Sequence, residues 1–204
     1  MTLKLIVEKL AIDNDNKKFI VADELKDYCK RLSMEYLPTV KYLLRNKYIA
    51  RIFRGIFYVY SIEERKLGKS EMNMFEIIRE ALKLKGVKNW YFGLRSGLKF
   101  NNLTHEYFTI DYVVNDKIFR AKSMIIMGRK VKFYKLSPKM LSFGIIKKKV
   151  NYSDSEKTLL DLLYLKHYTE EEFEEIAEGL SKIKLHKYAK NYNRRIMNIV
   201  KGLK

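Results

Sequence analysis

Residues 22–60 read ADELKDYCKRLSMEYLPTVKYLLRNKYIARIFRGIFYVY, and this stretch decides the fold. Ala22, Leu25, Cys29 and Leu32 stand at i, i+3, i+7 and i+10, which is one face of a helix. Asp23 and Glu24 fall in its first turn, where acids complement the helix dipole. Ser33 breaks the pattern and is expected to cap the next helix. That helix is expected to run through about Asn46, with Leu37, Val40, Leu43 and Leu44 as its apolar residues. Pro38 is tolerated only in a first turn, so the helix must begin close to Tyr36. Residues 48–51 and 55–60 are rich in β-formers and flank residues 51–55, with Gly55 as the turn residue. They read as a hairpin.

Working outward, Leu3, Ile6, Val7 and Leu10 have helical spacing over residues 2–12. A polar turn over 11–18 and a short extended piece at 19–21 follow. Helix, strand, helix, turn, helix, hairpin is the order of a winged helix-turn-helix. It is expected to occupy residues 1–62. Residues 61–70 are polar and charged and read as a linker. The rest of the chain, 70–204, reads as a separate α+β domain. A helix over 72–84 turns Phe75, Ile78 and Leu82 inward and ends on Gly86. Residues 89–93 read as a buried strand and 95–101 as a short helix or turn. Runs at 108–114, 117–121, 124–127 and 130–136 suggest a small sheet. A helical turn at 138–141 and an extended stretch at 143–150 follow. Ser153 is expected to open a helix. Helices are expected over 154–167, 169–180 and roughly 184–201. The fold class is therefore α+β, with a winged helix-turn-helix first and a helical C-terminus.

Composition bounds the function. The chain has 204 residues, 47% of them hydrophobic, enough to build proper cores. A formal net charge of +18 attracts polyanions before any specific contact forms. Nucleic acid is the commonest such partner and an anionic membrane the second. The absence of Gln, with abundant Lys, Glu and Ile, fits a thermophile's bias and explains part of the lysine excess. No apolar run approaches the roughly 18 residues that suggest a membrane span. The first residues do not read as a signal peptide. One cysteine, Cys29, excludes a disulfide framework and makes the cytoplasm the expected compartment.

If Val40 and Leu44 face inward, Thr39, Lys41, Tyr42 and Arg45 face out or flank the exposed face of the second helix. In this motif that helix enters the major groove. Arg and Lys donate to guanine acceptors, and Thr serves any base or packs on a thymine methyl. Lys47 lies just beyond, and Arg51 and Arg54 sit near the hairpin tip, placed for phosphate or the minor groove. The same motif also serves as a protein–protein module, and a basic side chain can simply be solvated.

Catalytic patterns are scarce. His105, His167 and His186 lie apart without a cysteine or second histidine at ligand spacing. Gly93 and Gly97 belong to no phosphate loop. Asp111 is on an expected strand, but no Glu-x-Lys strand follows, as a metal nuclease would require. Asp154, Glu156, Lys157 and Asp161 read as capping and solvated-face residues opposite Leu159, Leu160, Leu162 and Leu163. No catalytic residue, metal or cofactor is expected. Residues 170–178 hold six glutamates, whereas 181–204 carry +8 and no acid. The basic segment reads as one amphipathic helix. Lys187, Lys190, Arg194 and Arg195 form a secondary basic patch on it. Its readings are a second phosphate contact or a helix docked on its own domain beside the glutamates, and the expected outcome combines them: the apolar side docks and some of the basic side remains free.

Three ordered features resemble a known family. They are RGIFYVY at 54–60, WYFGLRSGLKFNNL at 90–103 (with Asn102 where a Gly is usual), and Phe143-Gly144 followed by Val150 and SEKTLLDL at 155–162. In that order the chain resembles the AbiEi-type antitoxins of type IV toxin–antitoxin systems. The resemblance implies a transcriptional regulator that represses its own operon by binding inverted repeats of double-stranded DNA. It also implies opposition to a nucleotidyltransferase-like toxin without required contact, and no membrane partner. The alternatives are a non-catalytic nucleic-acid or protein interaction module and a nuclease-like enzyme.

Overall fold

The computed structural model describes residues 2–14 and 17–203, and the chain is α+β. It divides into two compact units, one ending at Gly86 and the other beginning at Val87. The part of the polar turn at residues 15 and 16, and Lys204 of the basic tail, lie outside the described residues.

The first unit runs α1 (Thr2–Asn14), β1 (Phe19–Val21), α2 (Ala22–Arg31), α3 (Tyr36–Arg45), β2 (Ile49–Phe53), β3 (Ile56–Val59), α4 (Ile62–Leu67) and α5 (Met74–Leu84). Its antiparallel sheet has the order β1-β3-β2. Ile6 and Leu10 of α1, Leu25 and Cys29 of α2, and Val40 and Leu43 of α3 meet Ile49, Phe57 and Val59 in one core. Each such buried side chain contributes roughly 1.5–3 kcal/mol relative to exposure. The apolar spacing of the three helices thus becomes one packed face.

Three expectations change here. Ser33 does not open α3; it closes α2. Its φ is +49°, its N–H donates to the Lys30 carbonyl, and the Met34 N–H donates to the Cys29 carbonyl. That pair of bonds around a left-handed residue satisfies the last carbonyls of a helix. Leu37 is not core but 68% exposed. The expected linker at 61–70 contains α4, and the first unit extends to Gly86. The reason is Glu64. Its buried carboxylate accepts from the backbone N–H groups of Ser61 (2.6 Å) and Glu71 (2.8 Å) and from the Tyr58 hydroxyl. Those bonds hold a stretch of low apolar content against β3.

The second unit runs β4 (Trp90–Phe92), α6 (Leu94–Phe100), β5 (Ile110–Asn115), β6 (Met124–Ile126), β7 (Arg129–Lys135), a 3-10 turn (Pro138–Leu141), β8 (Ile145–Lys147), β9 (Asn151–Ser153), α7 (Ser155–Tyr164), α8 (Glu170–Ala177), α9 (Lys182–Ala189) and α10 (Arg194–Gly202). The six strands form one mixed sheet, β6-β7-β5-β4-β9-β8. β5–β7 and β4–β9 are the parallel pairs. β6 and β7 are joined through Met127 and Gly128, both at positive φ, as a tight hairpin needs.

The expected strand at 117–121 does not form. The Asn115 side chain accepts from Lys117 N–H at 2.9 Å and donates to the Ile118 carbonyl at 2.9 Å, curling the chain away from the sheet. The stretch 143–150 yields only β8, and β9 follows it. Ser153 belongs to β9, and Asp154 caps α7 by accepting from the Lys157 N–H at 2.9 Å. The long basic helix is two helices, because Asn193 caps a new start by accepting from the Ile196 N–H at 3.1 Å.

Candidate nucleic-acid interface

Residues 36–60 contain five basic residues and no acid. All five, Lys41, Arg45, Lys47, Arg51 and Arg54, are exposed. On α3, Leu37, Lys41 and Arg45 recur every four residues and form one outward stripe. Lys47 takes φ +54° at the end of α3, where the Tyr48 N–H returns to the Leu43 carbonyl at 2.9 Å. The chain therefore turns sharply from α3 into β2.

The hairpin is tighter than its sequence suggests. Phe53 pairs with Ile56, so Arg54 and Gly55 alone make the loop. Gly55 has φ +78°, and its carbonyl accepts from the Ala22 N–H at 2.8 Å, which ties the hairpin to the start of α2. Arg54 is thereby at the tip. Arg51, opposite Phe57 on the neighbouring strand, lies with its guanidinium 5.7 Å from that ring.

Two expected contact residues turn away. Thr39 is buried, and its hydroxyl donates to the Glu35 carbonyl at 2.6 Å. Tyr42 is half-buried, packs on the core and stacks on Tyr48 with ring centroids 6.0 Å apart. Thr39 lies next to Val40 on the wall of α3 that the core covers, so its side chain spends its hydrogen bond locally. Leu37, read as core, takes its place on the exposed stripe. Arg65, read as linker, lies with its guanidinium 3.7 Å from the Tyr48 ring.

In the second unit the secondary patch divides. Lys187, Lys190 and Arg194 are exposed around the junction of α9 and α10. Arg195 is a bracket: it donates to Glu170 Oε1 at 3.1 Å and to the Leu163 carbonyl at 3.0 Å. Lys184 likewise pairs with Asp154 at 3.0 Å and Glu156 at 2.9 Å.

The charged residues of α7 are not a solvated face. Lys157 and Asp161 are fully buried and paired at 3.1 Å. Asp161 also accepts from the hydroxyls of Tyr91 and Tyr192, each at 2.7 Å. Burial, and then the Asp161 charge, push both phenols well above their ordinary range. The Lys157 ammonium lies 4.4 Å from the Phe143 ring and 5.0 Å from that of Tyr91. A Cβ on Gly144, itself at φ +62°, would come within 2.7 Å of Lys157 Cβ. One on Gly97 would come within 2.5 Å of Thr158 Oγ1. The segments around Gly97 and Gly144 and the Glu-Lys-x-Leu-Leu-Asp run are thus parts of a single core around α7. Nothing in the α7 periodicity reveals this, since α7 is covered on several sides by α6, α8, α9 and α10.

Asp111 is also buried, with its Oδ2 3.0 Å from Arg129 Nε. Burial raises its pKa despite that guanidinium and Lys99. Among the described residues no group of three His, Cys, Asp or Glu is arranged to hold a metal ion. No described helix is long and apolar enough to cross a membrane.

No family model matches the chain, and no curated protein matches it. The architecture defines a two-unit α+β protein. Among solved structures it is similar to the RV2827C protein from Mycobacterium tuberculosis, with a TM-score of 0.61 and 8% identity. That alignment covers 98% of this chain and 77% of the other. At this identity the likeness is one of fold.

Proposed function

We propose that the chain is a sequence-specific, double-stranded-DNA-binding transcriptional regulator whose first unit is a winged helix-turn-helix. One observation carries this reading. An exposed helix stripe and a two-residue hairpin tip, joined by a sharp turn, present five basic side chains without an acid between residues 36 and 60. α3 is then the helix for the major groove, and the β2–β3 hairpin is the wing. Lys41 and Arg45 suit guanine acceptors, and Leu37 suits a thymine methyl. Arg51, Arg54 and Lys47 suit phosphates, which set register. The sheet order β1-β3-β2 supports the assignment, because β3 of the hairpin pairs with β1, which leads directly into α2.

Within that class, the order of the three segments that resemble AbiEi-type antitoxins supports an autorepressor paired with a nucleotidyltransferase-like toxin. The α7 core gives the second and third of those segments a shared structural purpose but no chemistry of its own.

The test is a gel shift on the DNA upstream of the protein's own reading frame, at about 150 mM salt, against random competitor. A specific shift that disappears in Arg51→Ala/Arg54→Ala is the expected outcome. Binding that is indifferent to sequence, or untouched by the double variant, would sink the regulator reading. Recovery of growth in cells expressing a neighbouring nucleotidyltransferase tests the antitoxin role separately.

A further inference from the structure

The sheet of the second unit is covered unevenly. Leu94 and Leu98 of α6 and Leu162 of α7 pack on Tyr112 of β5. On the next strand, β7, the partners of Ile110, Tyr112 and Val114 are Lys130, Lys132 and Tyr134. Paired residues share a face. Lys130 is exposed there, and Lys132 and Tyr134 are half-exposed. Beyond them lies the edge strand, where Ile125, opposite Lys130, is 70% exposed.

An aromatic step stands beside these lysines. Tyr112 and Tyr134 stack with centroids 6.3 Å apart. The His167 ring sits edge-on to both, at 5.5 and 5.6 Å, and its Nε2 lies 2.8 Å from the Tyr134 hydroxyl. The Lys132 ammonium is 5.5 Å from the Tyr134 ring and donates to the Ala121 carbonyl. Burial, and then the charges of Arg95 and Lys132, depress the His167 pKa. Arg95 lies with its guanidinium 5.2 Å from the ring of Phe108, which packs on the same Leu94, Leu98 and Tyr112 cluster, so two cations stand at one aromatic surface.

We propose that this face of the second unit binds single-stranded nucleic acid, phosphates on Lys130, Lys132 and Arg95, a base against Tyr134 and His167. An unpaired base has a π-face to stack on an aromatic ring, which an intact duplex does not offer. A purely acidic peptide would use the lysines but not the rings. The proposal does not rest on duplex binding by the first unit.

The test uses the full chain and fluorescein-labelled oligouridylate and oligothymidylate of about a dozen nucleotides, followed by anisotropy. Lys130→Glu/Lys132→Glu and Tyr134→Leu should each weaken binding about tenfold, with thermal melts showing both variants folded. Arg51→Ala/Arg54→Ala should bind the single strands like the parent, which separates this site from the winged unit. Tighter binding of one oligomer identifies the polymer, RNA or DNA, and either supports the site. Failure of both oligomers to bind better than polyglutamate would overturn it. So would unchanged affinity in the sheet variants, or a loss confined to the arginine variant. A folded Lys130→Glu variant alone, altering only an exposed side chain, keeps the test decisive if Tyr134→Leu unfolds.

Discussion

At the scale of single residues, the molecule's most consequential side chain is Lys157, an ammonium with no exposure among three rings and a carboxylate. Truncating one partner of a buried pair leaves the other uncompensated, which costs about 3–5 kcal/mol. Lys157→Ala should therefore lower the urea midpoint by that equivalent, whereas Lys157→Met/Asp161→Asn, which removes both charges and keeps an acceptor for the Tyr91 and Tyr192 hydroxyls, should recover part of the loss. Equal destabilisation by both would show that the pair's charge is irrelevant. Glu64 makes a second case, readable by pH. Burial opposes its ionisation, but Tyr58, the backbone N–H groups of Ser61 and Glu71, and Lys18 outweigh it and hold the carboxyl below its ordinary value. A depressed folded pKa means stability that is full above about pH 4.5 and lost as pH falls through the folded value. The melting difference between parent and Glu64→Gln should thus shrink on acidification below that point; a constant difference would refute the linkage. Neither site was legible in the sequence. Lys157 and Asp161 lie opposite a leucine stripe, the position solvated on an ordinary two-sided helix, and Glu64 sits in a polar run.

Helix ends carry the lesson at the scale of elements. α2, α3, α6 and α7 each close on a left-handed residue that is not glycine: Ser33, Lys47, Asn102 and Lys166. At each, the next N–H returns to the carbonyl five residues back: Met34 to Cys29, Tyr48 to Leu43, Leu103 to Leu98, His167 to Leu162. A side chain in that conformation costs on the order of 1 kcal/mol. Lys166→Gly should accordingly raise the melting midpoint by about 2–4 °C, and Asn102→Gly by less, since Asn tolerates the conformation. A fall in either variant would mean that removing the side chain outweighs the relieved backbone. The apolar spacing predicted α1, α2, α3 and α5 because each buries one stripe. It could not find the break at Asn193, because the apolar pattern runs on through it into α10. Nor could it find α4, whose support is a carboxylate rather than an apolar face.

For the whole molecule, charge is the governing quantity. A net +18 favours association with any polyanion at low salt, so affinity alone is expected to discriminate poorly between specific and general association. The salt slope discriminates better. On duplex DNA, Arg51→Ala/Arg54→Ala should reduce the slope of log affinity against log salt by about 2, roughly one for each phosphate no longer neutralised. Lys187→Ala/Lys190→Ala should leave it unchanged if the duplex touches only the first unit. An equal reduction from both pairs would assign the duplex to both units. The α+β character could be read in outline from the alternation of helical and extended runs, but the division at Gly86 could not, because the polar run at 61–70 reads as a linker and instead folds into the first unit. The sheet order could not, since pairing β4 with β9 joins residues some sixty positions apart.

The six-stranded sheet ends on two strands, β6 and β8, each with one unpaired edge. An unpaired edge is a template on which a second chain can crystallise its own backbone, the seed of an aggregate. Lys147, Lys148 and Lys149 stand exposed at the end of β8, and Lys122 and Lys130 stand exposed beside β6. Like charges make the approach of another copy costly, so these lysines act as colloidal guards. Salt screens the guards. The protein is thus expected to be most prone to cluster in strong brine.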